Sequence, residues 1–313
     1  MRVRTIMRTL KSLFILFTIM SFVSAGCKDA PAEVDPIDST IQQSNLFAAA
    51  QSMGDLQSPD LNEASGAAAS RSNNIYLWTH NDSGGDPTLF LTTTIGADSG
   101  RFVLSGAQNI DWEDIAVGPG PDAALQYIYV GDIGDNRAVR SSLTIYRVPE
   151  PDLNVLDIPT TQNLANVEAI NFVYSNGARD AETLMVDPLT NDIYVVSKRE
   201  AQVGLYVLPF PQSTTEMDTA RFLANLPFTN FTAGDISADG AEILIKNYFN
   251  IYYWPRSTGQ TVQQALAATP QRLAYTTEPQ GEAICFSLNA NGFYTLSEMD
   301  SSDPVPVLFY RRN

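Results

Sequence analysis

The chain has 313 residues, a formal net charge of −16 and 44% hydrophobic residues. So acidic a surface argues against nucleic acid or an anionic membrane surface as a partner and favours cations. One histidine and two cysteines cannot supply a Cys/His zinc set, and a chain of this length can bury a substantial core.

Residues 1–26 read as an export signal. Arg2, Arg4, Arg8 and Lys11 stand without an acid before an apolar run at 12–23, which is too short to span a bilayer and suits the hydrophobic part of a signal. Ser24-Ala25-Gly26-Cys27 resembles a bacterial lipobox, which implies that Cys27 is acylated and becomes the new N-terminus; an ordinary secretory signal is the alternative. Lys28-Asp29 resembles the surface-export tag of outer-membrane lipoproteins. The expectation is an envelope protein anchored in outer-membrane lipid through Cys27. Loss of the four basic residues lowers the charge of −16 by four, to −20. Residues 27–44, with two Pro and four acids, read as an acidic tether. Residues 45–313 read as one domain and a monomer.

From residue 61 the chain repeats itself about every 50 residues, the mark of a propeller-type array. An acid opens each unit: Glu63, Glu113, Glu182, Asp235 and Glu282. A small or apolar strand follows, then a turn, then second strands at 75–80, 127–131, 193–197, 242–246 and 292–297. Third strands are expected at 88–93, 143–148, 204–208, 251–254 and 307–311. Fourth strands are expected at 101–104, 167–174, 220–226 and 272–275. The fifth unit lacks a fourth strand, and residues 45–60, of which 45–53 could also be a short helix, are placed to supply it. The predicted fold is all-β, a five-bladed β-propeller closed by an N-terminal strand; a six-bladed ring, with strands hidden in 149–166, is the alternative. Gln263 to Ala268 suit a turn of helix. Trp78, Trp112 and Trp254 are expected to pack between blades, and Cys285 to be a small buried residue.

In such a ring the start of each first strand and the end of each second strand share one face. That gathers Glu63, Glu113, Glu182, Asp235 and Glu282 around one mouth of the axis, a layout for a hard cation such as Ca²⁺. Turn capping by the same acids is the structural alternative. Asp132, Asp135 and Asn136 fit either calcium ligation or a tight turn. His80 and Glu113 are the candidate catalytic groups, although His80 also suits a turn or a packing role. Lys198, Arg199 and Lys246, scarce cations at second-strand ends, could hold an anion beside a metal or form salt bridges between blades.

The runs GEAICF with FYTLSE, and DAETLMVDP with DIYVVSKRE, resemble blades of the calcium-dependent β-propeller phytases and related esterase-like bacterial propellers. The resemblance extends over residues 63–311. It implies Glu113, Glu182, Asp235 and Glu282 as calcium ligands, Lys198, Arg199 and Lys246 as phosphate contacts, and a phosphoesterase- or esterase-type hydrolase acting on a small anionic substrate. A non-catalytic propeller that binds a ligand or a protein, and a glycosidase with a carboxylate pair, are the other readings.

Overall fold

The computed structural model describes residues 41–298 and 304–313. The signal, Cys27 and most of the tether lie outside them. Ile41 is buried in the core and Gln43 bridges to Arg272, so the described start of the chain packs on the sheets.

Strand β1 (Gln51–Asp55) precedes five antiparallel meanders. The first holds β2 (Ala64–Ala69), β3 (Tyr76–Asn81), β4 (Thr88–Thr93) and β5 (Asp98–Leu104). The second holds β6 (Trp112–Pro119), β7 (Gln126–Asp132) and β8 (Leu143–Pro149), then β9 (Thr160–Leu164), then β10 (Glu168–Tyr174). The third is β11 (Ala181–Val186), β12 (Ile193–Ser197), β13 (Val203–Leu208) and β14 (Asp218–Leu226). The fourth is β15 (Phe231–Ile236), β16 (Glu242–Asn247), β17 (Ile251–Pro255), the short helix α1 (Val262–Leu266) and β18 (Gln271–Arg272). The fifth is β19 (Gly281–Phe286), β20 (Gly292–Ser297) and β21 (Pro306–Arg311). Thr261 and Gln264 close α1 with a reciprocal capping box.

The result is all-β and propeller-like. Strand β1 pairs antiparallel with β21. The long 149–166 connection does hold a strand, β9, but it adds parallel to the outside of β5. A parallel pairing of β10 with β14 links the second and third meanders into one eight-stranded sheet. The first strands of the meanders lie against one another in the order β2, β6, β11, β15, β19, and β19 lies against β2. Their sequences are rich in Gly, Ala, Ser and Thr, and nearly every position is buried. Small side chains let strands converge this closely. Larger apolar residues fill the spaces between neighbouring sheets. Trp78 and Trp112 share one core cluster, Trp254 sits in another, and none of the three is exposed. Cys285 is fully buried, as expected.

Every inner strand carries one β-bulge, at Gly66, Glu113, Glu182, Thr232 and Glu282. These five positions are the true structural equivalents. The acid-based alignment is therefore three residues out in two units: Glu63 precedes Gly66 by three, and Asp235 follows Thr232 by three. The fourth inner strand begins at Phe231, not at Asp235.

Asp114, next to the Glu113 bulge, ties three inner strands together. Its Oδ1 accepts the N–H of Ile115 (2.9 Å), and its Oδ2 accepts those of Leu184 (2.9 Å) and Gly234 (3.3 Å). Burial pushes its pKa well up, while the three donors hold the anionic form. Asp114→Ala leaves three buried N–H groups without a partner and is expected to lower the unfolding free energy by roughly 3 kcal/mol or more in a denaturant titration. Asp114→Asn, whose amide oxygen can still accept from Leu184 and Gly234, is expected to lose clearly less.

Candidate functional site

The bulges direct chemistry to one end of the inner strands. A bulge sets two residues against one and re-aims the extra side chain. In β6 that residue is Glu113, which is 6% exposed. Asp111 lies two residues before it, just ahead of β6, and Asp82 follows the end of β3 in the neighbouring meander. Side-chain oxygens of Asp82, Asp111 and Glu113 lie within 4.8 Å of one another. Asp82 Oδ1 is buried without a partner.

The GDIGDN turn after β7 braces this cluster. Asp132 accepts the N–H of Asp111 (3.2 Å) and pairs with Arg140 (2.7 Å). Asp135 accepts the N–H groups of Val139 and Arg140. Both carboxylates thus serve the turn. Gly134 packs so closely that a Cβ there would fall 2.1 Å from Glu113 Oε1 and 2.4 Å from Asp111 Oδ2.

A second group of acids adjoins the first. Lys198, one residue past β12, donates from Nζ to Glu182 Oε1 and to Tyr248 Oη (3.0 Å). Tyr248 in turn donates to Glu282 Oε1 (2.7 Å). Glu182 Oε2 is buried without a partner. Burial works against the charge on Lys198, but Glu182 and its neighbours hold its pKa well above the usual value. Glu298 is pushed up to about 10 by burial, by the Glu282 charge and by a hydrogen bond to Glu282, so it stands protonated at neutral pH. Glu63 is exposed at the outer edge, and its charge acts on Asp82 and Glu298.

The other predicted site residues lie apart from this group or have partners of their own. Asp235 points along the inner strands, accepts the N–H of Phe286 (2.8 Å), and is raised to about 6 by burial against the opposing charge of Arg71. Lys246 stands two register positions deeper than Lys198. It is fully buried, donates from Nζ to the Gly281 carbonyl, and is lowered to about 8 by burial. Arg199 pairs with Asp180 (2.5 Å), whose other oxygen accepts the N–H of Asp135 (2.7 Å). His80 is fully buried and edge-on to Trp112 at 5.6 Å, with Nδ1 2.9 Å from the Asn81 carbonyl. Burial lowers its pKa to about 4, which makes it a neutral packing residue. The sequence places Asp82 and Glu298 at the mouth, as second-strand ends, without giving them a role, and it leaves Asp111 and Tyr248 out of the site. The available signal was the alternation of acids in Asp111-Trp112-Glu113 and the polar residues just past each second strand.

Chemically, the mouth offers an all-oxygen donor set of like charges. That suits a hard cation such as Ca²⁺ or Mg²⁺ and does not suit zinc or copper, which prefer nitrogen or sulfur. Glu113 is pushed well up by burial, then by Glu182, Asp82 and Asp111. Asp82 is raised to about 7 and Asp111 to about 6, each by burial first and neighbouring carboxylates second.

The chain matches no protein-family model and no curated protein.

The pKa shifts fix a sign. Folded-state values above the usual 3.8 mean that the folded protein binds more protons than the unfolded chain between about pH 4 and pH 7. Stability is therefore lost as pH rises through that window. In the presence of a chelator, the melting temperature is expected to fall between pH 5 and pH 8, and millimolar calcium is expected to flatten the profile. A melting temperature that rises with pH in chelator would contradict this electrostatic account.

Proposed function

We propose that the chain is a five-bladed β-propeller whose mouth binds a hard divalent cation, calcium outside the cytoplasm, through Asp82, Asp111 and Glu113. The blade count rests on the five inner strands lying against one another in cyclic order, and closure rests on the pairing of β1 with β21. The cation reading rests on one observation: oxygens of Asp82, Asp111 and Glu113 converge within 4.8 Å of one another, with Glu113 more than nine-tenths buried and Asp82 Oδ1 without a partner. Repulsion within such a group is relieved by protons or by a cation. Glu63, Glu182 and Glu282 stand around the three ligands and add to the field. Asp235, three register positions deeper, belongs to the channel wall.

The export signal and Cys27 support an outer-membrane lipoprotein of the bacterial envelope, and the acid-led blades support kinship with the calcium-dependent propeller phytases. Within that frame the favoured role is a cation-dependent binding propeller for a small ligand or a protein. Lys198 and Arg199 are engaged with Glu182 and Asp180, and Lys246 is buried, so none of the three stands ready for a phosphate. A hydrolase of phosphate or carboxylic esters is the second reading, favoured by Glu298. This protonated acid feels the charge of Asp82 and can give its proton to a leaving group, while a bound cation would supply Lewis-acid polarisation.

Isothermal titration of the metal-stripped soluble domain with calcium tests the first reading. One saturable site is expected, and Glu113→Gln with Asp111→Asn is expected to remove it without loss of folding. The absence of saturable binding by the unaltered domain would overturn the reading. For the second reading, chelator-sensitive turnover of a phosphate or carboxylic ester that falls in Glu298→Gln is expected; calcium binding without any turnover would leave the binding role alone.

A further inference from the structure

The inner strands also have an opposite end, where a cavity of about 250 Å³ opens. Val117 and Pro119 at the end of β6, Val186 at the end of β11, Pro188 just beyond it, and Ala238 past β15 form its largely apolar wall. Arg71, two residues past β2, is the one charged residue that lines it. Strands of six to eight residues put this end roughly 20 Å from the acidic mouth.

Arg71 has an unusual position for one of the few cations in so acidic a chain. Its Nη1 is buried without a hydrogen-bond partner. Two acids feel its charge, Asp235 and Glu150, but neither forms an ion pair with it within the described residues. Their oxygens have other donors. Glu150 accepts Trp78 Nε1 (2.9 Å) and the backbone N–H of Arg71 (3.1 Å), and Asp235 accepts the Phe286 N–H. Arg71 lines a small cavity, with one guanidinium nitrogen buried without a partner and its nearest carboxylates already occupied. A buried polar group without a partner calls for a ligand or an ion, and the fork matches an oxyanion held through two parallel hydrogen bonds.

We propose that this far end is a second binding site, specific for a small oxyanion held by Arg71. The volume corresponds to roughly eight waters, enough for a short-chain carboxylate with its tail against Val117, Val186 and Pro188, or for phosphate. The site does not depend on the cation reading of the other mouth.

Titration of the folded domain with butyrate and, separately, with inorganic phosphate, followed by calorimetry and by protein NMR, tests the proposal. Saturable binding of either anion, lost in Arg71→Gln, is expected, and the anion that binds names the source. Arg71→Lys, which keeps the charge but not the fork, is expected to weaken binding by about tenfold or more. Ala238→Phe, at an exposed position that lines the cavity, is expected to block binding with Arg71 intact, which separates loss of the site from loss of the fold. Calcium binding at the acidic mouth is expected to be the same in all three variants. The proposal is overturned if neither anion binds saturably, or if binding persists in Arg71→Gln.

Discussion

One carboxylate holds three inner strands in register. Asp114 receives N–H groups from β6, β11 and β15, all three of them inner strands. Inner strands so poor in large side chains cannot be fixed by packing alone. Their small residues allow close approach, and a buried acceptor then sets their relative height. With that height set, the bulge beside Asp114 is set as well, and so is the direction of Glu113. The acidic mouth is thus a consequence of how the strands are aligned, and Asp114, which does not reach solvent, governs residues that do.

The two ends of the inner strands differ in kind. At one end, bulged glutamates and flanking aspartates bring like charges together, and Lys198, Tyr248 and Glu298 relieve part of the repulsion by proton sharing. At the other, strand ends contribute Val, Pro and Ala, and a single arginine faces a small cavity. A chain with far more acids than bases has placed its cations selectively: Arg140 braces a turn, Lys246 fills a buried gap on a carbonyl, and Arg71 lines a small cavity with one nitrogen unpartnered.

Much of the architecture was legible because turns and short apolar strands recur at even spacing. The second strands fell where expected, and the tryptophans pack between sheets. Glu113, Glu182 and Glu282 share one structural position because each is the extra residue of the same kind of bulge. The remainder was hidden by features without a sequence period. A bulge consumes one residue, so an acid three positions away, as at Glu63 or Asp235, looks equivalent and is not. Gly66 and Thr232 hold the true positions and carry no charge to mark them. Lys198 and Lys246 look alike in sequence, yet two register positions separate a residue at the mouth from one inside the protein. Asp82 and Asp111 join Glu113 only through the approach of two meanders, which local pattern does not reveal. Strand β9 was obscured by its parallel pairing with a sheet formed earlier in the chain.

Terbium luminescence tests the central claim most directly. Tb³⁺ takes the same oxygen ligands as calcium, and Trp112 stands between Asp111 and Glu113 in the chain, in place to sensitise it. Excitation of tryptophan is expected to give terbium emission that calcium displaces and that Asp82→Asn or Glu113→Gln abolishes. Emission that is absent, or that survives both substitutions, would show that the three carboxylates do not form a cation site.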